Sequence, residues 1–182
     1  IFNHGIFTKI INNTIKYNEQ DGIKIALEGA RTTISSNNLV DNEGKSIIIL
    51  AKNVAVSSNT IDADSSEIAI SILNANFSSI ENNSVEGGNL GIKVQNSTSA
   101  FIYNNTIKSN SGFGIQILIN SELAKVKFNQ LTDNEDNAIV ISSSNSTEIY
   151  NNTIKENAGY GFAATNSKLI DFRGNTLSLI HI

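Results

Sequence analysis

The sequence predicts an all-β solenoid of about seven to eight coils of 22–24 residues, each coil built from three short strands around an interior ladder of asparagine amides. Three observations carry this prediction. Asparagine recurs at Asn13, Asn37, Asn59, Asn83, Asn105, Asn129, Asn152 and Asn175, at intervals of 22 to 24 residues, a period that signals stacked repeats. Each of these residues follows an apolar residue by three positions (Ile10, Ile34, Val56, Ile80, Ile102, Val126, Ile149, Phe172) and precedes another by two (Ile15, Leu39, Ile61, Val85, Ile107, Leu131, Ile154, Leu177). The chain also holds 29 Ile and 28 Asn among its 182 residues, and no Pro. Branched Ile favours a pleated surface, and Asn favours turns because it tolerates positive φ and bonds nearby backbone.

The stretch from Asp21 to Asn42 shows how one coil is assembled. Alternating Ile23, Ile25 and Leu27 predict a first strand facing inward. Glu28 to Arg31 predicts a turn, Thr32 and Ile34 a second strand, Asn37 the next turn, and Leu39 a short third strand. Later first strands are expected to begin at Ile47, Ile68, Ile92, Ile115, Ile139 and Phe162. A small residue precedes most of them (Gly22, Ser46, Gly91, Gly114, Ala138, Gly161), and Glu67 breaks the column. Residues 1–12 read as entering at a second strand, and Ser178 to Ile182 as lying inside an eighth coil. The ladder Asn is itself expected to adopt positive φ, pointing its amide inward toward the copies about 4.8 Å away in neighbouring coils. The chain reads as one domain over residues 1–182 that forms part of a longer protein, with neighbouring domains or other chains covering the solenoid ends.

Composition narrows the function. There is no Cys, Met or Trp, which removes disulfides, thiolate metal sites and thiol nucleophiles. A net charge of −4 with only two Arg argues against a nucleic-acid partner. No apolar run is long enough to span a membrane.

The phrase Asn12-Asn13-Thr14-Ile15, followed by Asn18, Gly22-Ile23 and Ile25, recurs from Asn104 to Ile117 and again after Asn151. It resembles the right-handed parallel β-helix repeats of pectate-lyase-like enzymes, copper-reductase accessory proteins and many surface proteins. The resemblance implies a right-handed parallel β-helix and an extracellular or cell-envelope location. The leucine-rich repeat spaces apolar residues about an Asn in the same way. Here the position five before each Asn is no Leu column, and Ile greatly outnumbers Leu.

Enzymes of the resembled family generally act on the outer face of the first strand and its bordering loops. By parity that face reads Lys24 and Ala26, Ile48 and Leu50, Ala69 and Ser71, Lys93 and Gln95, Gln116 and Leu118, Val140 and Ser142, Ala163 and Thr165. It carries no carboxylate, His or Arg, whereas glycoside hydrolysis needs two carboxylates and lyase or epimerase chemistry a base with a cation. Acidic residues instead gather in turns: Asp62, Asp64 and Glu67, and Asp133, Glu135 and Asp136. Asp133 and Asp136 are the catalytic candidates, and Ca²⁺ is the one cofactor these clusters would suit; no other metal or cofactor is expected. His4 and His181 stand at opposite ends, outside any metal-spaced cluster.

The outer face of the second strand is richer. Its last four coils present Tyr103, Lys127, Tyr150 and Arg173 two positions before the ladder Asn, and Phe101, Lys125, Glu148 and Asp171 four before it. Aromatic rings beside charges suit sugar or protein binding, so Phe101, Tyr103, Lys125, Lys127, Tyr150 and Arg173 are the binding candidates, with Lys127 expected between two Tyr rings. The sequence therefore points to a non-catalytic structural or binding module whose partner is a polysaccharide or an envelope protein. The alternative is a segment of a polysaccharide lyase, epimerase or hydrolase.

Overall fold

The computed structural model describes residues 1–178 and is an all-β parallel solenoid of about eight turns without helices. Three eight-stranded parallel sheets form its walls. The first runs from strand Phe2–Asn3 to Phe162–Thr165, the second from Lys9–Ile11 to Asp171–Arg173, and the third from Thr14–Lys16 to Thr176–Ser178. Strands are mostly three residues long because each turns back as soon as it has placed one or two apolar side chains in a narrow interior. In the second and third sheets the middle residue of each strand points inward, so Ile34, Val56, Ile80 and Ile102 stack in one column and Leu39, Ile61, Val85 and Ile107 in another, all fully buried.

The Asn ladder runs as expected. Asn105 Nδ2 donates to Ile80 O of the preceding coil (2.9 Å) and to Asn129 Oδ1 of the next (3.0 Å). Its own Oδ1 accepts from both the backbone N and Nδ2 of Asn83. The same pattern links Asn13 through Asn175. The positive φ, however, does not fall on the ladder Asn. It falls on the residue before it: Asn12, Ser36, Ser58, Asn82, Asn104, Phe128, Asn151 and Gly174, with φ between 52° and 63°. That residue makes the left-handed step, and the Asn after it can then turn its amide into the core.

A second amide ladder lies at the turn after the third sheet. Asn18 bonds Asn42, and Asn110, Asn134 and Asn157 bond in series. It is interrupted at Ser66, whose Oγ donates to Asn42 O, and at Gly88, which has no side chain. Asn110 is fully buried, and with Gly88 beneath it Oδ1 has no hydrogen-bond donor. A serine ladder through Ser97, Ser121, Ser144 and Ser167 serves the turn between the first and second sheets.

The sequence reading is corrected at four points. A first strand does precede the opening second strand, because Phe2–Asn3 pairs with Lys24 and Ile25. In the fourth coil the register is two residues later than expected: Ile70 pairs with Ile47 and Ile92, and Ile72 with Ile49 and Val94. The outward pair there is therefore Ser71 and Leu73, with Ala69 fully buried. Ala69, and not Glu67, then precedes the inward Ile, and the small-residue column is unbroken. The column exists because the next coil passes close by: a Cβ on Gly91 would lie 2.6 Å from Gly114 O. Lastly, Leu27 is 69% exposed, since the strand ends at Ile25 and the turn carries Leu27 outward. The final residues, including His181, lie outside the described residues.

Two stability outcomes follow from the ladders. Asn105→Ala strands the Asn83 N–H and Ile80 C=O in the core, and should lower unfolding free energy by about 1–3 kcal/mol in urea titrations. In the second ladder, Asn134→Ala should cost more than Asn110→Ala by the same assay, because Asn134 Oδ1 accepts two bonds and Asn110 Oδ1 accepts none.

Candidate functional site

In-register stacking brings the second-sheet candidates together on one outer face. Phe101 pairs with Lys125, which pairs with Glu148, which pairs with Asp171. Alongside, Tyr103, Lys127, Tyr150 and Arg173 stack in the same order. Phe101 and Tyr103 lie nearly parallel with ring centroids 5.4 Å apart. Phe128 meets Tyr103 edge-on at 5.4 Å and Tyr150 at 6.0 Å, completing a continuous aromatic strip. Phe128 is not on a strand. It is the left-handed residue before Asn129, so it projects from the turn beside the strand face. Sequence alternation does not reach such positions. The usable signal is its place immediately before a ladder Asn, where a bulky apolar side chain has no inward role.

Lys127 stands on the rung between Tyr103 and Tyr150, as expected, and its ammonium lies over the Tyr150 ring. Its ammonium lies 4.0 Å from the Tyr150 centroid and 2.8 Å from Glu148 Oε2, and the residue is only 8% exposed. The Glu148 carboxylate opposite, and Phe128 wedged between the tyrosines, draw it to one side. Burial pulls the Lys127 ammonium down, but hydrogen bonds to Glu148 and Tyr150 outweigh that and hold its pKa above the ordinary value. Glu148 is held below the usual carboxylate range, first by the hydrogen bond from Lys127, against its own desolvation, and then by the charges of Lys127 and Lys125. Its other oxygen meets Lys125 Nζ at 3.4 Å. Arg173 pairs with Asp171 at 3.2 Å and packs its guanidinium over Tyr150 at 5.5 Å. A hollow of about 300 Å³ borders the strip, lined by Ser99, Phe101, Leu123, Lys125, Ser146 and Glu148.

The acidic candidates are separated. Asp133 has φ 56° and precedes Asn134 of the second ladder, the turn position held by Ser109 and Glu156 in adjacent coils. Asp136 accepts a hydrogen bond from Asn137 N (2.7 Å) and lines a cleft of about 290 Å³ beside the first sheet, together with Glu67, Lys93 and Gln116. The first-sheet wall itself presents Lys24, Ile48, Ser71, Lys93, Gln116, Val140 and Ala163 in register, without a carboxylate. Glu67 and Asp136 approach it only from the loops. Asp62 is pushed up by burial and by the nearby carboxylates of Asp64, Asp41 and Glu86. Among the described residues no three His, Cys, Asp or Glu converge to hold a metal ion. His4 is exposed and meets Glu28 at 3.2 Å.

A family model described as "Right handed beta helix region" matches residues 51–177. No curated protein sequence matches the chain. Among solved structures, the mannuronan C-5 epimerase AlgE6 A-module of Azotobacter vinelandii is similar at a TM-score of 0.75 and 16% identity, covering 96% of this chain and 52% of that one. The periplasmic alginate epimerase AlgG is similar at 0.78 and 14%, covering 92% and 51%. The Dettilon tailspike protein is similar at 0.60 and 14%, covering 96% and 48%. The chain thus spans about half the length of each, and at these identities the likeness is one of fold.

The ion pair gives a pH outcome. Glu148 has a folded pKa below its ordinary 4.5, so the stability it adds is full above that value and is lost as pH falls through the lowered one. Wild type should exceed Glu148→Gln by under about 1 kcal/mol near neutrality, because the carboxylate is partly solvated. In denaturation series run at stepped pH, that gap should close only below pH 4.5.

Proposed function

Because the chain belongs to the right-handed β-helix family, and a continuous aromatic–charged surface lies on its second sheet, we propose that it is a non-catalytic binding module of an extracellular or cell-envelope protein. It presents a rigid rod face to a polysaccharide. The observation that carries the reading is the ring strip from Phe101 through Tyr103 and Phe128 to Tyr150, whose members touch across three coils. Phe128 is exposed and Phe101, Tyr103 and Tyr150 are half-buried; the ring surface they leave open can meet the C–H faces of sugars, and the flanking amides and charges can bond their hydroxyls. A β-sheet holds such rings at fixed spacing, so little conformational entropy is lost on binding. The fold is shared with alginate epimerases and a phage tailspike, which supports a carbohydrate partner and a place outside the cytoplasm.

A second reading rests on the first-sheet cleft, where Lys93 and Gln116 of the wall meet Glu67 and Asp136 of the loops. A carboxylate beside an ammonium is a minimal base–cation pair for lyase or epimerase chemistry on a polysaccharide. Incubation with alginate and pectin, with and without Ca²⁺, decides between the readings. Turnover abolished by Asp136→Ala would establish the enzyme.

On the binding reading, Tyr103→Ala combined with Tyr150→Ala should weaken retention in polysaccharide-containing gels about tenfold, the factor that about 1.4 kcal/mol represents. Retention equal to wild type on every polymer that holds the wild type would remove the strip from the binding site.

A further inference from the structure

We infer that the polysaccharide accepted by the second-sheet face is an uncharged pyranose chain lying along the solenoid axis, and not a polyuronate. This rests on the reading that the face binds carbohydrate.

The charges on the face cancel. From the strand Ser79–Glu81 to Asp171–Arg173 its outward positions carry Lys125, Lys127 and Arg173 against Glu81, Glu148 and Asp171, three cations and three carboxylates. Each cation already has a carboxylate partner: Lys127 at 2.8 Å and Lys125 at 3.4 Å share Glu148, and Arg173 meets Asp171 at 3.2 Å. Lys127, the cation nearest the centre of the strip, is buried beneath the ring and carboxylate it contacts and has little surface to offer a ligand. A polyuronate places one carboxylate on each sugar unit. To bind here it would set those carboxylates against Glu81, Glu148 and Asp171, and against ring faces whose quadrupole is negative. The chain's net charge of −4 adds long-range repulsion.

An uncharged chain meets none of these costs. Its C–H faces stack on ring faces, and its hydroxyls bond carboxylates and ammonium groups that keep their present partners. The direction follows from the rings. Tyr103, Phe128 and Tyr150 succeed one another along the axis, on coils about 4.8 Å apart, close to the length of one extended pyranose unit. The ion pairs therefore act as a charge filter. Glu148 fastens both lysines and keeps their charge from an anionic polymer.

The test is affinity electrophoresis of the whole chain in gels containing hydroxyethylcellulose, laminarin, xylan, galactomannan or amylopectin, and in gels containing alginate or polygalacturonate, at low and high salt. Wild type should be retarded by at least one neutral polymer, to the same extent at both salt levels, and pass the polyuronate gels unretarded. Tyr103→Ala with Tyr150→Ala should weaken that retardation about tenfold. Glu148→Gln frees Lys125 and Lys127, and should create polyuronate retardation at low salt that disappears at high salt. Wild-type retardation by alginate or polygalacturonate that the tyrosine substitutions weaken overturns the inference and leaves carbohydrate binding at this face standing. Retardation by no polymer, or polyuronate retardation that loss of both tyrosines leaves unchanged, overturns the inference together with the reading beneath it.

Discussion

Everything in this solenoid depends on an amide that bonds three coils at once. Asn83 Nδ2 reaches back to Val56 O and forward to Asn105 Oδ1, while its own Oδ1 receives Asn59. Because the residue lies between the second and third sheets, one side chain fixes the register of both. The left-handed residue before each ladder Asn carries a conformational cost for any side chain but glycine. At Asn104 that cost is offset by a backbone bond to Lys127 O of the next coil (3.0 Å) and by the buried amide bonds the turn makes possible. Neither half of the arrangement would persist alone: without the amide the turn is strained, and without the turn the amide faces water.

A locked register constrains the surface as strongly as the interior. Equivalent positions stack directly, so a like charge repeated on successive coils would repel at close range. The outward columns avoid this by alternation. Glu86 faces Lys108 at 2.6 Å, and Lys125 and Lys127 give way to Glu148 and Tyr150. Where alternation lapses, as with Asp62 beside Glu86, the Asp62 carboxyl is pushed up, first by burial and then by the carboxylates of Asp64, Asp41 and Glu86. The second-sheet patch obeys the same rule, which is why it combines rings with paired charges and lacks a run of free cations.

The ladder, the apolar columns and the stacking of Phe101, Tyr103, Lys125, Lys127, Tyr150 and Arg173 on one outer face were legible in the sequence because each depends on distance from one strictly spaced residue. The fourth-coil first strand was not. Its run from Ile68 to Leu73 alternates throughout, and a slip of two residues preserves which side faces inward. Only packing separates the two registers. The next coil's carbonyl approaches too closely for Glu67 to stand before the inward Ile, whereas Ala69 fits. The two-residue opening strand was invisible for another reason, since Phe2–Asn3 is too short to alternate and is defined only by its bonds to the coil above. Phe128 was missed because turn residues follow no alternation.

These failures share a cause that bears on function. What the ladder controls is periodic, and periodic features can be counted from sequence. What lies in the turns is set by local left-handed geometry and by loop lengths that vary between coils. The first-sheet wall, read by counting, holds no carboxylate, and correcting its fourth coil leaves that unchanged. The cleft beside it is nevertheless lined by Glu67 and Asp136, from turns three coils apart, together with Lys93 and Gln116. The aromatic strip shows the same division: three of its rings are strand residues placed by the ladder, and the fourth, Phe128, joins them from a turn. In this fold the coil supplies a level, regularly spaced platform, and the turns decide which rungs of it become a site.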